Sequence, residues 1–139
     1  MTKYLSIAIL LTSFLAGNAY GEDEIYYCAE TDNNGFNFDE TLKKYKPRLF
    51  HTEKFKIKFD RTAKTVEIKG HPLSPANKTY PCTAPYAIIG EPELLSCTIN
   101  FYQFSFNSNN GRFVFSMIAG YVAGDEDTIS VSYGKCDKF

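Results

Sequence analysis

The stretch Lys54–Asp60, "KFKIKFD", decides the fold. Phe55, Ile57 and Phe59 occupy every second position, and Lys54, Lys56 and Lys58 fill the gaps between them. A helix would scatter both sets around its axis, whereas a strand sends alternate side chains to opposite faces and separates them cleanly. The segment therefore reads as a half-buried strand with an apolar inner face and a lysine stripe outside. "TVEIKG" repeats the pattern with Val66 and Ile68 inward after the short polar link "DRTAK", so the two segments form a β-hairpin.

Further along, "FYQFSFNSNNGRFVFSMI" places Tyr102, Phe104 and Phe106 on one face, then Phe113, Phe115 and Met117. The reversal belongs at "NSNNG", because Asn and Gly accept the backbone angles of tight turns. "TISVSYG" alternates Ile129, Val131 and Tyr133 after the polar link "AGDEDT", and "EIYYCAE" and "ELLSCTI" read as two more strands. One helix is predicted, over "NFDETLKKYK", with Asp39 as its N-cap and Pro47 as its stop. The segment from His71 to Pro92 holds five of the six prolines and is expected to be loop or edge, since proline cannot donate to a central ladder. The sum is an all-β domain: a small antiparallel barrel or sandwich of about seven or eight strands with at most one short helix.

The first 21 residues, "MTKYLSIAILLTSFLAGNAYG", carry Lys3 and then an apolar run that is too short to span a bilayer. They have the order of a secretory signal peptide with small residues before a cleavage point after Gly21, and cleavage after Ala19 also fits. Residues 22–139 then form a single β domain in the periplasm or outside the cell. All four cysteines lie in that part. An even number in an exported chain points to disulfides, and the absence of any close C-x₂-C pair argues against structural zinc. Four cysteines allow three pairings. An up-and-down barrel brings its first and last strands together, which favours Cys28 with Cys136, while Cys82 and Cys97 flank the proline-rich segment and suit a local staple. Simple alternation puts Cys136 on the face opposite Ile129, Val131 and Tyr133, and a bulge at Gly134 is expected to correct this.

"YYCAETDNNGF", "TEKFKIKFD…TVEIKG", "YPC", "LLSC", "NNGRFVF…GY" and the terminal "GKCDKF" together resemble a group of small exported proteins from marine bacteria. The resemblance covers nearly all of the chain after the signal. It implies export from a bacterial cell and brings no activity with it. A bacterial origin also removes the usual reading of "NKT" at Asn77 as a glycosylation acceptor.

Chemistry is sparse. Net charge is −1, which gives no electrostatic case for nucleic acid. "ETDNNGFNFDET" partly matches a calcium loop through Glu30, Asp32, Asn34 and Gly35, but the closing glutamate falls on Thr41 and the match is set aside for an Asn- and Gly-rich loop. Asp125 and Asp127 in "GDEDT" likewise read as a solvated turn. Neither a metal nor a cofactor is expected. The lysine stripe Lys54, Lys56 and Lys58, with Lys69 on the partner strand, reads first as a solvated outer face that shields an exposed sheet edge, and an anionic surface such as lipopolysaccharide is its functional alternative. Twelve Phe and ten Tyr with no Trp fill a small core, and Tyr26, Tyr86 and Tyr121 are the first tyrosines to test as surface contacts. No nucleophile elbow, zinc-protease helix or phosphate loop occurs. A catalytic pair could be assembled from Glu53, Asp60, His51 or His71, which lie far apart in the chain, but nothing in the sequence raises it above background and no catalytic residue is assigned. The expected function is binding, to an envelope component, a small ligand or a protein. The alternatives are a hydrolase with a carboxylate site, or a structural envelope or virion component.

Overall fold

The computed structural model describes residues 23–75, 78–124 and 126–139. The segment expected as a signal peptide (1–21), Asn77 and Asp125 lie outside them. Nine strands follow in order: β1 (Glu24–Asp39), β2 (Lys44–Leu49), β3 (Lys54–Asp60), β4 (Thr65–Lys69), β5 (Thr79–Thr83), β6 (Leu94–Ile99), β7 (Tyr102–Asn107), β8 (Arg112–Met117) and β9 (Ile129–Lys138). A 3₁₀ turn at Ala87–Ile89 and one short helix, α1 (Ala119–Ala123), complete the chain. Every pairing is antiparallel. β1, β3 and each later strand through β9 pair in succession, and β9 returns to β1. The result is a closed eight-stranded barrel with β2 added outside, hydrogen-bonded only to the far half of β1.

The alternation that defined β3 holds along the barrel strands except at one bulge in β1. Phe55, Ile57 and Phe59 point into the barrel with Val66, Ile68, Phe104, Phe106, Phe113 and Phe115. Phe104 stands at the centre of this core, its ring 5.6 Å from that of Phe113 and 6.2 Å from those of Phe55 and Phe115. Eight strands leave an interior that side chains can fill, and here they do so. The two disulfides are Cys28–Cys136 and Cys82–Cys97. Each joins directly opposed positions on neighbouring strands, the first across the β1–β9 seam that closes the barrel.

Four expectations are corrected. The predicted helix is instead the turn of the β1–β2 hairpin. Asp39 does cap backbone, accepting from the N–H groups of Thr41 and Leu42, but Lys43 then takes a left-handed φ of 50° and the chain reverses. Pro47 does not stop a helix; it sits in the outer strand opposite Phe36. The segment "TDNNGFNFD", expected as a loop, is the continuation of β1 and is paired on both sides. β5 lies within the proline-rich segment and is a barrel strand, not an edge, its pairing limited to three positions with β4 and two with β6.

The fourth correction concerns β9. Its inward residues are Ser130, Ser132, Gly134 and Cys136, while Val131 and Tyr133 are exposed. Alternation is unbroken, so Cys136 needs no bulge at Gly134. The bulge lies across the seam in β1, where the register with β9 shifts between Glu30 and Asp32. It changes the inward set from Tyr26, Cys28 and Glu30 to Asn33. Gly134 serves the seam in another way. A Cβ there would lie 2.0 Å from the Ala29 carbonyl oxygen, so the barrel closes only over glycine.

Candidate functional site

The bulge in β1 brings Glu30 and Asn33, which a regular strand would send to opposite faces, together inside one end of the barrel. His71, just after β4, joins them: its Nε2 is 3.0 Å from Glu30 Oε1, and both side chains are essentially inaccessible. Glu30 Oε2 also accepts from the Glu53 N–H at 2.8 Å and from Asn33 Nδ2 at 3.3 Å. The Leu73 N–H points at His71 Nδ1, so Nδ1 accepts and Nε2 carries the proton that it donates to Glu30. The ring packs edge-on against Phe55 and Phe115, at 5.0 and 4.7 Å. Beside this cluster lies a cavity of about 220 Å³ at the barrel mouth, lined in part by Asn33, His51, Glu53, His71 and Thr128.

Three of the four residues considered for a catalytic pair therefore meet at the mouth, while Asp60 lies at the opposite end, accepting the Ala63 N–H in the β3–β4 turn. The bonding of His71 and its partner Glu30 does not suit proton transfer. Both nitrogens of His71 are occupied, and the Glu30 carboxylate is surrounded by three donors. The arrangement braces the loop after β4 against β1. Among the described residues no group of His, Cys, Asp or Glu side chains is placed to hold a metal ion.

At the other end a polar latch closes the barrel base. Glu24 accepts hydrogen bonds from Arg61, Tyr26 and Lys138, at 2.9, 2.7 and 2.9 Å. Burial raises the Glu24 carboxyl, but the three donors outweigh it and hold it at about 2. Burial and then the bond to Glu24 push the Tyr26 hydroxyl up to about 12. Arg61 also reaches Glu93, which accepts a hydrogen bond from Ser108.

The outer wall is chemically one-sided. Register places Lys56 between Tyr27 of β1 and Lys69 of β4, with Asp137 of β9 beyond Tyr27. The adjacent row runs Arg112, Lys135, Ala29, Lys54 across β8, β9, β1 and β3. Between the rows is an open hollow of about 440 Å³ whose lining includes Tyr27, Ala29, Lys54, Lys56, Lys69 and Asp137. Lys56 Nζ stands 5.9 Å from the centre of the Tyr27 ring. Among the described residues Lys54, Lys56, Lys135 and Arg112 form no ion pair, whereas Lys58 is bound to Asp23 at 2.7 Å, which raises its pKa. Across the barrel, the outer faces of β5, β6 and β7 carry Thr83, Ser96, Thr98, Gln103 and Ser105, with no charged group among them.

Of the residues singled out from sequence, Lys54 and Lys56 line this hollow and Lys58 is spent on its partner. Tyr26 is a core residue, 3% exposed, and is no surface contact. Tyr86 and Tyr121 are exposed but stand far apart in the fold, on the loop before β6 and on α1. Tyr27, Lys135 and Arg112 were missed. Tyr27 was legible as the neighbour of inward Cys28, but joining Lys135 and Arg112 to Lys54 required the closure of the barrel. Glu30 with His71 was missed for the same reason. Comparison of the chain with protein-family models, with characterised proteins and with solved structures gives no match in any of the three.

Proposed function

We propose that the protein is a small exported binding protein that engages an anionic partner through the outer wall around Tyr27 and Ala29. The observation that carries this reading is the segregation of charge. A chain of net charge −1 gathers on one wall four cations that have no ion-pair partner among the described residues, and leaves the opposite wall without charged side chains. The shielding alternative finds little support, because β3 is hydrogen-bonded on both sides and has no edge to shield. The free edge belongs to β2, which carries its own guards in Lys44, Lys46, Pro47 and Arg48. Export rests on the first 21 residues and the resemblance to exported bacterial proteins. Two disulfides are compatible with it, and no helix among the described residues is long and apolar enough to cross a membrane.

Binding to a soluble polyanion, dextran sulfate, at low and rising salt tests the reading. Reversing two charges at the wall, Lys54→Glu with Lys56→Glu, is expected to weaken binding at least tenfold. The same charge change on β2, Lys44→Glu with Arg48→Glu, is expected to leave most of it. Equal losses in the two variants, or no binding by the native protein at about 50 mM salt, would overturn the proposal.

A further inference from the structure

Resting on that reading, we infer that the anionic partner is an acidic glycan, a chain of sugars bearing carboxylate or sulfate groups, with one segment seated in the hollow beside Tyr27. Three features select this chemistry over other polyanions. First, the hollow has an aromatic wall: Tyr27 is about half exposed and is propped edge-on by Phe139 at 5.7 Å, which leaves its ring able to take the apolar face of a sugar. Second, Asp137 stands opposite Tyr27 in the register and makes no ion pair among the described residues. A carboxylate at the border of a cationic wall repels any anionic group, but it accepts hydrogen bonds from sugar hydroxyls, donors that a polyphosphate lacks. Third, the cations flank the floor instead of covering it. Lys54 and Lys135 sit on either side of Ala29, two strand spacings or roughly 10 Å apart. Acidic groups on successive sugars can reach both while the ring lies over the small Ala29. The hollow, about 440 Å³, falls within the range of small-ligand sites, about 300–1,000 Å³.

Calorimetry at low salt with tetragalacturonate, with inorganic polyphosphate of matched charge and with phosphatidylglycerol vesicles tests this. The native protein is expected to bind the uronate best. Tyr27→Ala and Asp137→Asn both alter exposed side chains, and circular dichroism is used to check that both remain folded. Each should weaken uronate binding about fivefold or more. Asp137→Asn should at the same time strengthen whatever polyphosphate binding exists. Polyphosphate bound as tightly as the uronate, with Asp137→Asn strengthening both, would overturn the glycan while leaving the anionic wall standing. Vesicle binding without uronate binding would do the same in favour of a lipid surface. Binding to none of the three would overturn the uronate-type glycan, and if dextran sulfate is not bound either, the wall as well.

Discussion

Around Phe104 the barrel interior is ring against ring, whereas around Glu30 it is donor against acceptor. The two regions lie inside the same eight strands, and the difference lies in what burial requires of each. Apolar contact has no direction, so the aromatic region needs only that its volume be filled at close packing. The polar region needs each N–H aimed at an oxygen, because a buried group left without a partner costs about 1–3 kcal/mol. The bulge in β1 and the turn that carries His71 meet that requirement for Glu30. They do not meet it everywhere: Asn33 Oδ1 and Ser132 Oγ are buried without a partner.

The largest effect is expected in the aromatic region. Phe104→Ala removes a ring with no exposed surface and leaves a cavity that four neighbouring rings cannot collapse to fill. Chemical denaturation should show a loss of about 3–5 kcal/mol. A loss below about 1 kcal/mol would mean that the core repacks freely and that the contrast between the regions is wrong.

In the polar region Glu30→Ala orphans the His71 ring N–H and the Glu53 N–H and leaves the Asn33 amide only its bond to the His51 carbonyl. Each is worth about 1–3 kcal/mol, but the adjacent cavity admits water to some of them, so a loss of about 3 kcal/mol is expected. Glu30→Gln keeps an oxygen for one or two of these donors and should lose about half as much. Equal losses in the two variants would show that packing, not hydrogen bonding, holds this end.

The base latch sharpens the contrast because its carboxylate sits at the rim. The folded Glu24 carboxyl, at about 2, lies below its ordinary value of 4.5. Its contribution is therefore fully present above about pH 4.5 and is lost as pH falls through about 2. Arg61 and Lys138 are roughly half exposed, so solvent screening reduces the effect to about 1–2 kcal/mol. Denaturation curves between pH 5 and 2 should show the loss in the native protein and a flatter profile in Glu24→Gln. Identical profiles would remove the latch from the account.

Legibility in the sequence follows the same division. Period-2 alternation reports strands directly, and it placed β3, β4, β7 and β8 with the correct faces inward. The cysteine pairing was legible because closure makes the first and last strands neighbours. What alternation cannot report is which face is inward when both are plausible. In β9 the larger residues Val131 and Tyr133 face out and Ser130, Ser132 and Gly134 face in, and at Gly134 the Ala29 carbonyl leaves no room for a side chain. Nor does it report a bulge. One extra residue in β1 turned an apparent loop into strand and carried Asn33 inward. The mouth cluster and the full cationic wall depended on pairings between residues far apart in the chain, for which a single sequence holds no local signal.

The smallest effect tests the comparison most closely, because it is expected to have the opposite sign. Ser132 is 2% exposed, and its Oγ has no hydrogen-bond partner. It faces inward from β9 opposite Asn33, whose Nδ2 is committed to Glu30 and to the His51 carbonyl, so its Oδ1 is also left alone. In the native fold the hydroxyl has lost its hydration and gained nothing in return. Ser132→Ala deletes that group and little volume, so stability should be unchanged or should rise by up to about 1 kcal/mol. The melting temperature of the variant measures this directly. A loss of more than about 1 kcal/mol would mean that the hydroxyl is bonded after all, through a water shared with Asn33, and that the polar region is as fully satisfied as the aromatic one is filled.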